Sequence, residues 1–279
     1  MYHYRMPPKV SIILPLYDSS PLLRKFTLNA LKCIREYTPP ELYELIIVDN
    51  KIRGMKNADP RLQQIKSTVR NLDYSGSEAL GINDQECTII DNDPDIGYYA
   101  SMNQAAKIAK GQYLLFTQND IMVLPNWLED LCYYLDHNLT DAIFPDMMSH
   151  GRQFRLEHDA MNHEQNLVAG CIESGMVLVK REAFDAIGGW YDVLWQEIGW
   201  KVFIYSLSEK GYRYHSTHKV PIIHINQASR DGLELEDMDK YQEIIDNDFN
   251  KANEWEHYYR ERHGLPHPSF DQIAFPPND

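Results

Sequence analysis

Three consecutive segments near the N-terminus set the tightest limit on the fold. Residues 9–16, KVSIILPL, form a short apolar run dense in β-branched side chains, and Pro15 near its end stops it from extending as a central strand. Pro21 then opens a helical pattern in which Leu22, Leu23, Phe26, Ala30, Leu31 and Ile34 recur at three-and-four spacing, up to the Thr38-Pro39-Pro40 breaker. A second apolar run, ELIIVDN at 44–50, follows. Strand, helix and strand in this order predict a right-handed crossover and a parallel sheet.

The alternation continues through the first half. Residues 51–85 are polar and weakly periodic, with one helix expected at about 60–72, and ECTIID at 86–91 gives a third strand. A helix over 98–109, a fourth strand GQYLLFT at 111–117 and a helix from Pro125 to about Asp136 come next. Such a sheet places its ligand at the carboxyl ends of its strands, where Tyr17, Asp49, Asp91 and Asp120 fall. The second half mixes its elements: an apolar segment at 170–180, a short helix REAFDAI, the turn Gly188-Gly189-Trp190, a helix over 196–210 capped by Gly211, and a strand VPIIH at 220–224. Residues 234–262 read as a charged helical tail. With 279 residues, 43% of them hydrophobic, and no Pro/Gly/Ser-rich linker or repeat, the chain is expected to form one core domain, residues 1–230, with a tail at 231–279.

Charge narrows the partners. The 41 acidic against 27 basic residues give a formal charge of −14, which repels duplex nucleic acid. A diphosphate still binds an acidic protein when a divalent cation bridges phosphate and carboxylate. Cys33, Cys87, Cys132 and Cys171 contain no Cys-x-x-Cys pair, which argues against a zinc site or redox motif and for reduced core thiols. The start, MYHYRMPPK, lacks the apolar run of a signal peptide and no later stretch has the length of a membrane span, so a cytoplasmic protein is expected.

The string YLLFTQND carries the chemistry. A buried strand that ends in Gln118-Asn119-Asp120 delivers polar side chains to the ligand edge, and Asp120 is the carboxylate among them. One or two protein groups together with substrate phosphates suffice to hold a hard cation. His224, at the end of VPIIH, is the natural second ligand, since an imidazole suits a Mn²⁺-type ion. A turn-capping role for Asp120 and a structural role for His224 are the plain alternatives. Asp91-Asn92-Asp93 is a rival acidic triplet, set aside because it runs into the Pro94–Gly97 turn and its strand is less apolar. His215 and His218 form an H-x-x-H that is read as flanking a turn, not as a zinc site. Neither G-x-G-x-x-G nor G-x-x-x-x-G-K-[ST] occurs, so dinucleotide and P-loop readings lose their main support.

Taken in order, VSIILPLYDSSPLL, LIIVDN, DIGYYASMNQAAKIAKGQYLLFTQND, GMVLVKREAFDAIGGWYD, EKGYRY and VPIIHINQAS resemble the family 2 glycosyltransferases over roughly residues 9–229. The resemblance implies the GT-A fold, a mostly parallel Rossmann-like α/β sheet flanked by helices. A donor-binding half at about 9–120 and a smaller acceptor-side region at about 121–230 would follow. It also implies that Pro15, Tyr17 and Asp49 hold the donor's base and ribose, with Gly97 and Asn103 lining the sugar-phosphate. Asp120 matches the last residue of the family's D-x-D metal motif, and His224 a histidine that often completes the site. Gln118 stands where an aspartate is commonest; its neutral carbonyl would serve the ion or the sugar, and Asn119 beside it is likewise assigned to donor binding. The family's base is a carboxylate in an E-D pair, which here is degenerate: Glu197 is the first choice and Asp192 the alternative, each also readable as an ordinary helix-start or turn carboxylate.

The implied activity is an inverting transfer of sugar from a nucleoside-diphosphate sugar, UDP-sugars being the family's commonest donors, to a hydroxyl acceptor, assisted by Mn²⁺ or Mg²⁺. Competing readings are a catalytically silent sugar-nucleotide or glycan-binding module, suggested by Gln118, and a nucleotidyltransferase, disfavoured because SSPLLRK has no glycine. Trp190, Tyr191, Trp195 and Trp200 read equally as an aromatic acceptor surface or as core, and the tail as docking on the core or on another subunit, a homo-oligomer interface.

Overall fold

The computed structural model describes residues 7–16, 21–50, 87–92, 96–148, 162–170, 175–194 and 199–225, with isolated helical positions between 242 and 261. The opening unit forms as expected. β1 (Val10–Leu16) and β2 (Tyr43–Asn50), joined through α1 (Pro21–Tyr37), pair in parallel from Val10↔Tyr43 to Leu16↔Asp49. β3 (Cys87–Asn92) adds to β2, and β4 (Tyr113–Thr117) to the other side of β1, both parallel. The β1–β4 register stops at Ile13↔Phe116, two residues before Pro15, whereas the pairing with β2 runs on to Leu16. A proline has no amide proton for a second neighbour, so β1 is central only over its first part.

Side-chain alternation along β1 sorts the helices into two layers. Val10, Ile12, Leu14 and Leu16 join one core with Leu31 and Ile34 of α1 and with Trp127, Leu128 and Leu131 of α3 (Trp127–Asp136). Ile13 faces the other core, built with Tyr99, Met102 and Ala105 of α2 (Tyr98–Ile108). Each large apolar side chain buried in this way contributes about 1.5–3 kcal/mol.

The second half completes the sheet with β5 (Ile121–Met122), β6 (Ala142–Met148), β7 (Leu167–Ala169), β8 (Met176–Lys180) and β9 (Tyr214–His224), while α4 (Arg181–Ala186) and α5 (Gly199–Glu209) cover the second core. The strand order is β3-β2-β1-β4-β8-β6-β9-β5, with β7 also on β9. β8 runs antiparallel to β4 and β6, β6 and β9 are parallel, and β5 and β7 are antiparallel to β9. Among the described residues β1 to β4 thus pair with one another only in parallel and the remainder is mixed, within the expected α/β class.

The structure bears on three expectations. First, β9 begins at Tyr214, so His215 and His218 lie on a strand and do not flank a turn. The β6–β9 register shifts between Pro145 and Asp146, bulging β9 across residues 218–220, and His218 Nδ1 reaches Asp146 Oδ2 at 2.9 Å beside the bulge. Second, Trp190 and Trp200 are 2% and 5% exposed, so they are core and not an acceptor surface. Trp190 stacks on Phe203 at 4.2 Å between ring centroids, with Phe116 and Trp200 edge-on to it. Tyr191 is partly exposed, and Trp195 lies outside the described residues. Third, the tail, read as docking on the core or on another subunit, has two described positions in contact within the chain: Asp248 is completely buried, and Lys251 Nζ donates to the Val193 carbonyl at 3.1 Å. Cys33, Cys87 and Cys132 are not joined in disulfides, and burial pushes Cys132 up to about 12, which keeps it protonated. Among the described residues no helix is long and apolar enough to cross a membrane.

Candidate active site

The carboxyl ends of the parallel strands form one edge of the site. Asp49 is buried near the end of β2, in register with Leu16 on one side and Asp91 on the other, and Pro15 lies opposite Val48. Tyr17 lies outside the described residues. Next to this edge, Asn50 Oδ1 accepts from Asn92 Nδ2 at 3.0 Å and from Ser101 Oγ at 2.9 Å, and Asn92 Nδ2 also reaches Gln104 Oε1 at 2.9 Å. Ser101 Oγ shares its single proton with the carbonyl of Gly97, 2.6 Å away. Asn50, Asn92 and Ser101 are buried, so the network rigidly fastens the first turn of α2, with Gly97 at φ 91 as its N-cap, to the strand ends. In the rival triplet, Asn92 therefore serves this network, Asp91 is exposed, and Asp93 lies outside the described residues.

Beyond β4 the turn at Gln118-Asn119-Asp120 leads into β5. The antiparallel pairing of β5 with β9 sets Ile121 against His224, and the Ile225 amide donates to the Asp120 carbonyl at 3.2 Å. This pairing brings two residues distant in sequence into contact: His224 Nε2 lies 3.4 Å from Asp120 Oδ1 and 2.8 Å from Gln118 Oε1. Both the Asp120 and His224 side chains are nearly closed off from solvent.

Two residues of this wall were not singled out from the sequence. Gly175, immediately before β8, has φ +72, and a Cβ there would meet His224 Cε1 at 3.0 Å and Gln118 Cδ at 3.1 Å. A glycine leading into an apolar strand is a signal for close approach, and here the approach is to the site. Tyr98, next to Gly97, buries its hydroxyl oxygen without a well-formed hydrogen bond. Burial and then the Asp120 charge push that hydroxyl well above the ordinary tyrosine value, with the nearby Gln118 side chain opposing, so it remains a proton donor.

The donor set fits a divalent cation. Two ligands about 2.1 Å from one octahedral ion at right angles stand roughly 3 Å apart, close to the observed His224–Asp120 separation. Among the described residues no group of three or more His, Cys, Asp and Glu side chains is placed to hold an ion. An ion bound here would take Asp120, His224 and the Gln118 carbonyl from the protein, with phosphate oxygens and water in its other positions.

Asn119 and Asn103 have structural partners. Asn119 Nδ2 donates to Thr27 Oγ1 of α1 at 2.9 Å in a buried contact. Asn103, on α2, accepts from the Trp190 amide at 2.8 Å and donates to the Trp190 carbonyl at 2.8 Å and to Asp192 Oδ2 at 3.2 Å. Asp192 is exposed on this turn, and Glu197 lies outside the described residues.

The family model described as glycosyl transferase family 2 matches residues 11–220 of the chain. A relative, the O-antigen biosynthesis protein RfbC of Myxococcus xanthus, is 27% identical over 267 residues, covering 82% of this chain. The chain spans only 18% of the length of that relative. Among solved structures, S. aureus TarS 1–349 in complex with UDP superposes with a TM-score of 0.53 at 15% identity, over 80% of this chain and 63% of that one. The mannosyltransferase PcManGT from Pyrobaculum calidifontis, in complex with GDP-Man and Mn²⁺, gives 0.55 at 17% identity, over 78% of this chain and 57% of that one. The fold is therefore that of these glycosyltransferases.

Proposed function

The chain belongs to glycosyl transferase family 2, and on that premise we propose that it moves a sugar from a nucleoside-diphosphate donor to a hydroxyl acceptor with inversion at the anomeric carbon. The observation that carries this reading is the meeting of Asp120, His224 and Gln118 at the same sheet edge that presents Asp49. Pro15, Tyr17 and Asp49 take the base and ribose, a carboxylate accepting from ring N–H or sugar hydroxyl groups. Gly97 lets the diphosphate approach the start of α2, where the helix dipole favours negative charge. Gln118 and the Tyr98 hydroxyl supply neutral polar contacts to the sugar-phosphate. Asp120 and His224 hold Mn²⁺ or Mg²⁺, which when bound offsets the charge growing on the leaving diphosphate.

The acceptor oxygen forms its bond to the anomeric carbon as the bond from that carbon to the diphosphate oxygen breaks, and the acceptor proton passes to a carboxylate, Asp192 or Glu197. A UDP-sugar is the preferred donor, because TarS, of the same fold, was solved with UDP, whereas PcManGT was solved with GDP-Man. A silent nucleotide-sugar-binding module is the second reading. It is favoured by one observation, the hydrogen bond by which Gln118 already occupies His224 Nε2.

The test is a thermal-shift comparison with UDP, GDP and their sugars, with and without Mn²⁺ or Mg²⁺, on the wild type and on Asp120→Ala. A ligand that binds only the folded state raises the melting temperature, by about 2.7 kcal/mol of stabilisation at a hundredfold excess over Kd. A metal-dependent shift in the wild type that Asp120→Ala abolishes, together with UDP release from UDP-GlcNAc, supports the enzyme. Binding without any turnover of any donor supports the silent module, and a metal-dependent shift retained in Asp120→Ala sinks the metal assignment.

A further inference from the structure

Asn103 is placed on α2 among the donor-side residues, yet its whole amide is spent on the other half of the molecule. Its Oδ1 accepts from the Trp190 amide and its Nδ2 donates to the Trp190 carbonyl, both at 2.8 Å, so the side chain pairs with one residue's backbone much as a neighbouring strand would. The same Nδ2 lies 3.2 Å from Asp192 Oδ2.

The turn is shaped to receive this side chain. Gly189 has φ +85, and a Cβ there would stand 2.7 Å from Asn103 Oδ1, so only glycine lets the amide come so close. One residue on, the Trp190 ring is locked between Tyr99, Phe116, Trp200 and Phe203. Tyr99 belongs to the same helix as Asn103, so α2 grips the turn by both ring and amide. The tail adds a contact from its own side, where Lys251 donates to the Val193 carbonyl.

We infer that Asn103 is a positioning residue that fixes the Gly188–Leu194 turn and orients the Asp192 carboxylate toward the acceptor side, and that it does not bind the donor. The inference rests on the proposed transferase reading with Asp192 as the proton acceptor. It places Asp192 on a turn rigidly coupled to the donor-binding helix, so that the group receiving the acceptor proton keeps its register with the donor whatever the acceptor is. Alignment of this kind matters because a displacement of about 1 Å at a reacting group lowers rates by as much as a hundredfold.

The experiment compares the wild type, Asn103→Ala, Asp192→Asn and the double variant. Hydrolysis of UDP-GlcNAc with Mn²⁺, in which water takes the acceptor's place, reports turnover, and calorimetry with UDP and Mn²⁺ reports donor-side binding. Asn103→Ala is expected to lower kcat by about tenfold or more, with UDP affinity unchanged. In the Asp192→Asn background it should have no further effect, because residues acting as one unit are non-additive. Additive losses, or a weakened UDP affinity, overturn the inference. Unchanged hydrolysis in Asp192→Asn removes Asp192 from the proposed mechanism, a separate failure. Amide exchange gives a readout that needs no turnover: the Trp190 amide, now facing Asn103 Oδ1, should exchange at least tenfold faster in Asn103→Ala while UDP still binds. Protection equal to that of the wild type would show that Asn103 does not hold the turn.

Discussion

Gly175→Ala tests whether the wall behind His224 is as tight as its geometry states. The new methyl group meets two costs. At φ +72 an L-residue with a Cβ sits in the left-handed region, at about 1–2 kcal/mol. The methyl carbon also lands 3.0 Å from His224 Cε1 and 3.1 Å from Gln118 Cδ, so both side chains must give by a few tenths of an ångström. Together these terms predict a loss of about 2 kcal/mol, or roughly 4–8 °C in Tm for a chain of this size. The displacement is aimed at the pair whose 3.4 Å separation suits a shared cation. Melting the variant with UDP alone and with UDP plus Mn²⁺ should therefore show two effects, a lower midpoint without ligand and loss of the Mn²⁺-dependent increment, while the increment from UDP alone persists. An unaltered midpoint without ligand would refute the packing argument, and an unaltered Mn²⁺ increment would separate Gly175 from the metal site.

Two further predictions concern the opposite end of the sheet. Asp141 is held below its ordinary value: burial pushes it up, but the Lys180 ammonium, 2.8 Å away, and the Arg213 amide outweigh that. A depressed carboxylate stabilises the fold above its unfolded value of about 3.9 and loses that contribution as pH falls through the folded one. With both side chains nearly closed to solvent, at 12% and 13% exposure, Lys180→Met should cost about 2–3 kcal/mol by urea denaturation at pH 7, and the difference from wild type should shrink below about pH 4. His215 is pushed below its ordinary value by burial first and by Arg213, with Asp141 opposing. Its contribution is present above an unfolded value of about 6.5 and is lost on acidification, so the wild type should lose Tm between pH 7 and pH 5 more steeply than His215→Gln does, and parallel curves would contradict the assignment.

What the sequence reveals and conceals divides along physical lines. Fully buried parallel strands such as ILPL, LIIVD and YLLF announce themselves because both faces must be apolar, and the proline and glycine punctuation gives their ends. β6 hides because AIFPDMM carries Pro145 and Asp146, tolerated only through the register shift against β9. The first half of β9 hides because His215 and His218 sit where a strand with polar partners, Thr140 and Asp146, needs no apolar alternation. Asp120 and His224 were readable as strand-end residues, but their contact depends on the β5–β9 pairing, which a two-residue strand barely signals. Asn103 was legible as a helix residue, whereas its partners come from a turn whose position depends on how Trp190 packs. The buried tryptophans illustrate the same point: an aromatic-rich stretch reads alike whether it lines a pocket or fills a core.

The strand that carries His224 is the last one in chain order among the described residues, yet it inserts between β6 on one side and β5 with β7 on the other. During synthesis, β1 to β4 with Asp49 and Asp120 leave the ribosome before β9 is made, so their mutual pairing can form first. Asp120 then waits for a strand made about a hundred residues later before its partner arrives. A truncated or stalled chain would consequently hold β1 to β4 without His224 beside Asp120, and metal affinity, if the proposed cation site is right, would mark the moment at which the polypeptide has finished threading its own sheet.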